Sequence, residues 1–151
     1  MKLVEHKTFS DNRGSYTPIG MDTLNQTWDQ CSISINEQAY TFRGMHYQQA
    51  PAQEKYIKVV QGRIIDFGYD LATGKTFQME LDSNSAVYLH DGYAHGFLTL
   101  EPNTIVAYLV KGEYNPASEK SLVWSNISEV KETVLRYTDN PILSEKDAIG
   151  K

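Results

Sequence analysis

Gly, Pro, Asn and Asp return roughly every ten residues along this chain, and the segments between them are short and rich in β-branched and aromatic side chains, the spacing of an all-β sandwich or barrel. Tyr56-Ile57-Lys58-Val59-Val60 reads as a strand, Gln61-Gly62 as a turn and Arg63 to Asp70 as the return strand. Ala72-Thr73-Gly74-Lys75 turns into Thr76 to Leu81, which alternates at period two. Ala86-Val87-Tyr88-Leu89 and Gly96 to Leu100 are further short strands. Pro102-Asn103 leads into Thr104 to Val110, a nearly continuous apolar run expected to be central in its sheet. Eight or more short antiparallel strands suggest a jelly roll, which limits exposed sheet edges. Ser128 to Tyr137 fits either a short helix capped by Ser128 or, through its β-branched residues, an extended segment.

The 151 residues suit one domain, taken as 1–151, with no linker, repeat or low-complexity tract. A hydrophobic share of 40% argues against disorder. The apolar runs are too short to span a bilayer, and the N-terminus lacks the apolar core of a secretory signal, so a cytoplasmic protein is expected. The single cysteine, Cys31, fits a reducing compartment and reads as a structural residue in an alternating strand. A net charge of −5 argues against a basic nucleic-acid surface but leaves room for an anionic small ligand where a few cations converge.

Two clusters carry candidate chemistry. In Phe42-Arg43-Gly44-Met45-His46-Tyr47-Gln48, strand alternation is expected to bring Arg43, His46 and Gln48 to one face. That face suits the lining of a polar cavity, or equally an exposed strand face. In Asp91-Gly92-Tyr93-Ala94-His95-Gly96-Phe97, two glycines bracket a histidine in a tight stretch between strands. Taken alone, His95 reads as a hydrogen-bonded structural residue.

Other short motifs flank these clusters. They are Phe9-Ser10-Asp11-Asn12-Arg13-Gly14, Gln53-Glu54-Lys55 with Gly62 and Asp66, Tyr114-Asn115-Pro116 with Glu119, and Leu143-Ser144-Glu145-Lys146-Asp147. In this order and spacing, over nearly the full length, the chain resembles the dTDP-4-dehydrorhamnose 3,5-epimerase family. The resemblance implies a cupin-like jelly-roll homodimer that needs no metal or organic cofactor. It implies His46 as general base, Asp147 as its carboxylate partner, and Tyr108, six residues before Tyr114, as the acid. It places Lys55 and Arg43 in the site, with Gln48, His95 and Glu119 as further substrate contacts. Arg13 and Tyr16 would reach the nucleotide from a partner subunit, Gln30 and Ser32 would contact it, and Tyr114 would stack on its base. The implied reaction is epimerisation at C3, C5 or both of a dTDP-linked 4-keto-6-deoxy sugar, in dTDP-rhamnose or related surface-polysaccharide biosynthesis. The chain departs from the family at Ser32, where many members have Asn, and at His90, where they usually have Pro. The hairpin Asn36 to Tyr40 is one residue longer, the stretch before Lys55 one shorter, and the tail beyond Asp147 short.

These residue types suit that chemistry. A 4-keto group acidifies the C–H bonds at C3 and C5, so inversion needs a base on one face, an acid on the other and a donor for the enolate oxygen. An imidazole, with an ordinary pKa of about 6.5, suits the base, and a carboxylate fixes its tautomer. Asp147 can do this only if the chain end folds back over the cavity. A tyrosine returns the proton, and a lysine supplies fixed charge at the oxyanion. Arg13 and Arg43 suit a diphosphate, and Tyr16 and Tyr114 offer aromatic faces. A metal cupin is the chief chemical alternative, but its His-x-His pair is absent around His46. A sugar 3,4-ketoisomerase would have a second histidine where Gln48 stands. A non-catalytic sugar-nucleotide binder would not need His, Asp, Tyr and Lys together.

Overall fold

A computed structural model describes residues 1–12, 14–19 and 27–150. Its framework is two five-stranded antiparallel sheets. The first contains Lys2–Glu5 (β1), Gln30–Asn36 (β4), Glu54–Gln61 (β6), Ser85–Leu89 (β9) and Thr104–Lys111 (β11), in the order β1-β9-β6-β11-β4. The second contains Phe42–Gln48 (β5), Ile64–Asp70 (β7), Thr76–Leu81 (β8), Tyr93–Thr99 (β10) and Glu119–Ser121 (β12), in the order β12-β5-β10-β7-β8. A separate ribbon pairs Phe9–Asp11 (β2) with Gly14–Tyr16 (β3). This is the expected jelly roll. β11 is interior, between β6 and β4, as its apolar run predicts. The segment from Asn36 to Tyr40 is no hairpin, because β4 and β5 lie in different sheets and the connection crosses between them.

Each sheet is covered on both faces over part of its area. Between the sheets Ile57, Val59, Ile64, Leu81, Val87, Leu89, Phe97 and Val106 form one buried cluster. On the outside of the second sheet lies a helix, Ser128–Tyr137 (α1), preceded by a 3-10 turn at Trp124–Asn126. Val130, Thr133 and Val134 are its buried residues, at the i, i+3, i+4 spacing of one helix face, and they pack with Phe42, Met45, Phe67, Leu98 and Trp124. Each valine so buried contributes about 1.5–3 kcal/mol, enough to override the extended preference of the β-branched residues. Ser128 does not cap this helix. Ile127 occupies the cap position in an extended conformation, and no side chain bonds the exposed N–H groups. With α1 outside and the first sheet inside, β7 and β10 are buried on both faces, so they lack a polar face.

The chain end returns across this layer. The Ile142 N–H donates to Tyr40 O at 2.9 Å and the Phe42 N–H to Ile142 O at 2.9 Å, forming a parallel bridge beside β5. A short helix follows at Glu145–Ile149 (α2), capped by the Ser144 side chain, which accepts from the Asp147 N–H at 3.2 Å. Among the described residues no helix is long and apolar enough to cross a membrane.

Candidate active site

A cavity of about 500 Å³ opens between the two sheets. Ser32 and Ser34 of β4, Lys55 of β6 and Tyr108 of β11 line it from the first sheet. Arg43 and His46 of β5 and His95 and Phe97 of β10 line it from the second, and the returning tail, from Ile142 to Asp147, forms its edge.

Arg43 and His46 face this cavity together for a reason the sequence reading missed. Residues three apart on a regular strand point to opposite faces. Along β10, however, His95 pairs with His46 and Phe97 with Arg43, so two residues of β5, Gly44 and Met45, stand opposite the single Gly96. This bulge adds the residue that returns both side chains to one face. It depends on glycine. A Cβ on Gly44, whose φ is +125°, would lie 2.5 Å from the Gly96 Cα, and one on Gly96 would lie 2.8 Å from Arg43 O. Gln48 is corrected further. It is buried outside the cavity lining, and its amide donates to Pro51 O and Glu113 O at 2.7 and 2.9 Å and accepts from the Asn115 N–H at 2.7 Å. Its hydrogen-bonding capacity serves the backbone and is not offered to a ligand.

The shortest polar contact in the cavity joins His46 Nε2 and Asp147 Oδ1 at 2.5 Å. Asp147 is 3% exposed, and its second oxygen accepts from the Gly44 N–H at 3.4 Å. Burial pushes its carboxyl upward, but the hydrogen bond and charge of His46, with the Gly44 N–H and Ser144, outweigh burial and hold it below the ordinary carboxylate range. The bulged strand and the tail therefore meet at the two oxygens of Asp147.

Lys55 Nζ donates to His46 O at 3.4 Å. Burial lowers its pKa to about 8, against the upward pull of Glu119 and Asp66 and with a further push down from Lys146. The Tyr108 ring packs against those of His95 and Phe97, at centroid distances of 6.3 and 6.2 Å, and the latter two are 6.4 Å apart. Burial drives its phenol well above the ordinary range, so it is protonated at neutral pH, while Ser34 and Arg43 pull the other way.

His95 sits within β10, not in a turn between strands. Its Nε2 is 2.7 Å from Oδ1 of Asp66, and both residues are buried. Burial raises the Asp66 carboxyl against the pull of His95 and Lys55. Asp66 Oδ2 is buried with no hydrogen-bond partner. Asp66 belongs to a recognised motif, yet nothing in the sequence pairs it with a histidine 29 residues away.

The remaining candidates lie at the margin or beyond it. Glu119 accepts from Lys146 Nζ at 2.7 Å and from the Tyr114 hydroxyl at 3.4 Å, and Tyr114 is 54% exposed. Gln30 donates to Ser32 Oγ at 2.7 Å on the exposed end of β4. Tyr16 is 68% exposed on the β2–β3 ribbon, in a group apart from the cavity. Arg13 lies outside the described residues. Among the described residues no three His, Cys, Asp or Glu side chains are grouped to hold a metal ion.

Comparison with known proteins gives this arrangement a lineage. A relative from Neisseria gonorrhoeae named dTDP-4-dehydrorhamnose 3,5-epimerase is 29% identical over 167 residues, covering 100% of this chain and 49% of the relative. One of the same name from Mycobacterium tuberculosis is 33% identical over 126 residues, covering 78% of this chain and 61% of the relative. The chain thus spans about half to three-fifths of the length of these two curated relatives. A crystal structure of dTDP-4-dehydrorhamnose 3,5-epimerase from Bacillus anthracis, with TDP and PPi bound, superposes with a TM-score of 0.82 at 34% identity, covering 97% of this chain and 90% of that one. The family model described as dTDP-4-dehydrorhamnose 3,5-epimerase matches residues 1–151, and the chain belongs to that family.

Proposed function

We propose that this chain epimerises a dTDP-linked 4-keto-6-deoxy sugar at C3, C5 or both, with His46 as base and Tyr108 as acid. The observation that carries the reading is the His46–Asp147 pair, 2.5 Å apart between β5 and the tail helix α2, lining the same cavity as a half-buried tyrosine and a half-buried lysine from the other sheet. One imidazole nitrogen is held by Asp147, so the other carries the lone pair that removes the sugar proton. The carboxylate then stabilises the imidazolium. Electrons from the broken C–H bond move onto the 4-keto oxygen, where the Lys55 ammonium stabilises the enolate. Tyr108, across the cavity, gives a proton to the opposite face of the carbon and is reprotonated from solvent.

The nucleotide lies toward the cavity mouth in this reading. Arg43 holds the diphosphate, Lys146 stands beside it, and Tyr114 offers an exposed ring to the base. The TDP and PPi bound by the Bacillus anthracis relative support an anion site here. The protein functions as a homodimer in the cytoplasm, making an activated deoxysugar for a surface polysaccharide. Two exposed features support the dimer: Ile33 and Ile35, 66% and 63% exposed on the edge strand β4, and Phe9 and Tyr16, 50% and 68% exposed on the ribbon.

Incubation with dTDP-4-keto-6-deoxyglucose in D₂O, followed by NMR at C3 and C5, tests the reading. Deuterium entering at either carbon with inverted configuration is the expected result. No exchange at either carbon would overturn it.

A further inference from the structure

Strand β4 reverses the usual pattern: its polar residues Ser32 and Ser34 line the cavity, while Ile35 and Ile33, which also borders the cavity, are more than 60% exposed. Asn36 continues the polar series and is buried, 2% exposed, at the end of the strand. A buried amide is retained only where each of its polar groups is bonded. Its partners fix its orientation. Arg43 Nε, which can only donate, lies 2.8 Å from Asn36 Oδ1. The Thr104 carbonyl, which can only accept, lies 3.0 Å from Asn36 Nδ2. The oxygen therefore faces Arg43, and the second amide hydrogen goes to Ser34 Oγ at 3.4 Å. Ser34 Oγ keeps one hydrogen and a second acceptor site, and Tyr108 Oη lies 3.3 Å from it, with either hydroxyl able to donate.

We propose that Arg43, Asn36 and Ser34 form a one-directional hydrogen-bond relay ending on Tyr108 Oη, and that Asn36 and Ser34 are positioning residues for proton return. In this relay Ser34 donates to the phenol oxygen, so the phenol hydrogen cannot point back at Ser34 and is turned into the cavity, toward the sugar. The same bond stabilises the phenolate left after the proton is given. The relay also joins the guanidinium that holds the diphosphate to the acid, so an anion bound at Arg43 is registered at Tyr108 through three hydrogen bonds. The inference rests on Tyr108 being the acid.

The test compares Ser34→Ala, Ser34→Thr, Asn36→Asp and Tyr108→Phe with dTDP-4-keto-6-deoxyglucose in D₂O. The readout is the ratio of deuterium in recovered, uninverted substrate to deuterium in inverted product. When the acid is impaired, the base returns deuterium to the face it came from and this ratio rises. Ser34→Ala should raise it by about two- to tenfold, the worth of one neutral hydrogen bond, with KM within twofold of wild type. Ser34→Thr, which keeps the hydroxyl, should restore it. Asn36→Asp keeps the acceptor for Arg43 but makes Ser34 donate backwards, so it should raise the ratio as Ser34→Ala does. Adding Ser34→Ala to Tyr108→Phe should change nothing further. If Tyr108→Phe raises the ratio and Ser34→Ala leaves it at the wild-type value, the relay is wrong and the acid stands. If Tyr108→Phe itself has no effect on the ratio, the acid assignment fails and the relay falls with it.

Discussion

His46 Nε2 and Asp147 Oδ1 lie 2.5 Å apart although 101 residues separate them, the histidine placed by a bulge in β5 and the aspartate by a capped helix of five residues at the chain end. A base assembled this way depends on both supports. His46→Ala should lower deuterium exchange at the sugar by about 10²–10⁴-fold, the usual worth of a general base, while circular dichroism and dTDP binding remain near wild type. Asp147→Asn keeps the shape but removes the charge that stabilises the imidazolium, so kcat should fall with little change in KM. Wild-type exchange in His46→Ala would remove it from the base role.

The bulge gives a prediction that ties fold to rate. A Cβ at position 96 would meet Met45 Sδ at 2.7 Å and Arg43 O at 2.8 Å. The second contact is with backbone, which cannot swing aside. Gly96→Ala should therefore cost about 1–3 kcal/mol of stability, the range for overpacking a close-packed site, and lower kcat by tilting His46 away from Asp147. Urea unfolding and steady-state kinetics on one preparation check both. Unchanged stability together with unchanged kcat would mean that β5 tolerates a regular register.

Lys55 sets the alkaline limit. Burial brings its pKa down to about 8. Below that value the ammonium predominates and can stabilise an enolate; as pH rises through it, the charge is lost. The kcat profile should accordingly fall on the alkaline side with a midpoint near 8, a limb that Lys55→Arg should move upward because guanidinium stays charged. Lys55→Met should lose most turnover at every pH. A wild-type profile flat to pH 10 would exclude the ammonium from the rate-determining step.

These sites were unequally legible in the sequence. The family resemblance implies His46, Asp147, Lys55 and Tyr108, and the fold lines one cavity with all four. Gln48 was grouped with them by simple alternation, which has no way to register an extra residue in β5 or a buried amide consumed by carbonyls of the Pro51 and Glu113 segments. The flanking glycines place His95 in a tight stretch between strands by sequence; Gly92 does lie in the turn before β10, but Gly96 is inside the strand and allows β5 and β10 to approach closely. The Asn36–Ser34–Tyr108 chain was invisible because it needs the β4–β11 pairing, set by contacts between segments some 70 residues apart. Ser128 to Tyr137 was ambiguous by local propensity, and only the sheet face beneath Val130 and Val134 decides for helix.

The donor set around His46 also predicts metal independence. The His-x-His pair of a metal cupin is absent around His46, where Gly44 and Gln48 stand two residues to either side. Activity should survive exhaustive EDTA treatment, and elemental analysis should find no stoichiometric transition metal. A bound metal whose removal abolishes turnover, and whose return restores it, would reassign the histidines as ligands.

The dimer prediction follows from β4. An edge strand with Ile33 and Ile35 more than 60% exposed and, among the described residues, no strand paired along its outer side invites association with another chain. Neither isoleucine packs in the clusters that hold the sheets together, so replacing both should leave the monomer folded. Ile33→Asp combined with Ile35→Asp places two carboxylates where a partner would bury them, and like charges facing one another across a twofold axis oppose pairing. Light scattering should show a dimer for the wild type and a monomer for the double variant, with circular dichroism unchanged. If Arg13 and Tyr16 act on the partner's nucleotide, the monomer should retain the His46–Asp147 pair yet bind dTDP more weakly, since a single lost charge-assisted bond is worth roughly 1.5–3 kcal/mol. Mixing that monomer with Arg13→Ala protein tests the sharing directly: heterodimers, if they form, regain one complete site. A double variant that is monomeric at assay concentration and retains wild-type kcat and KM would show that each chain works alone, and would leave the exposed face of β4 without this function.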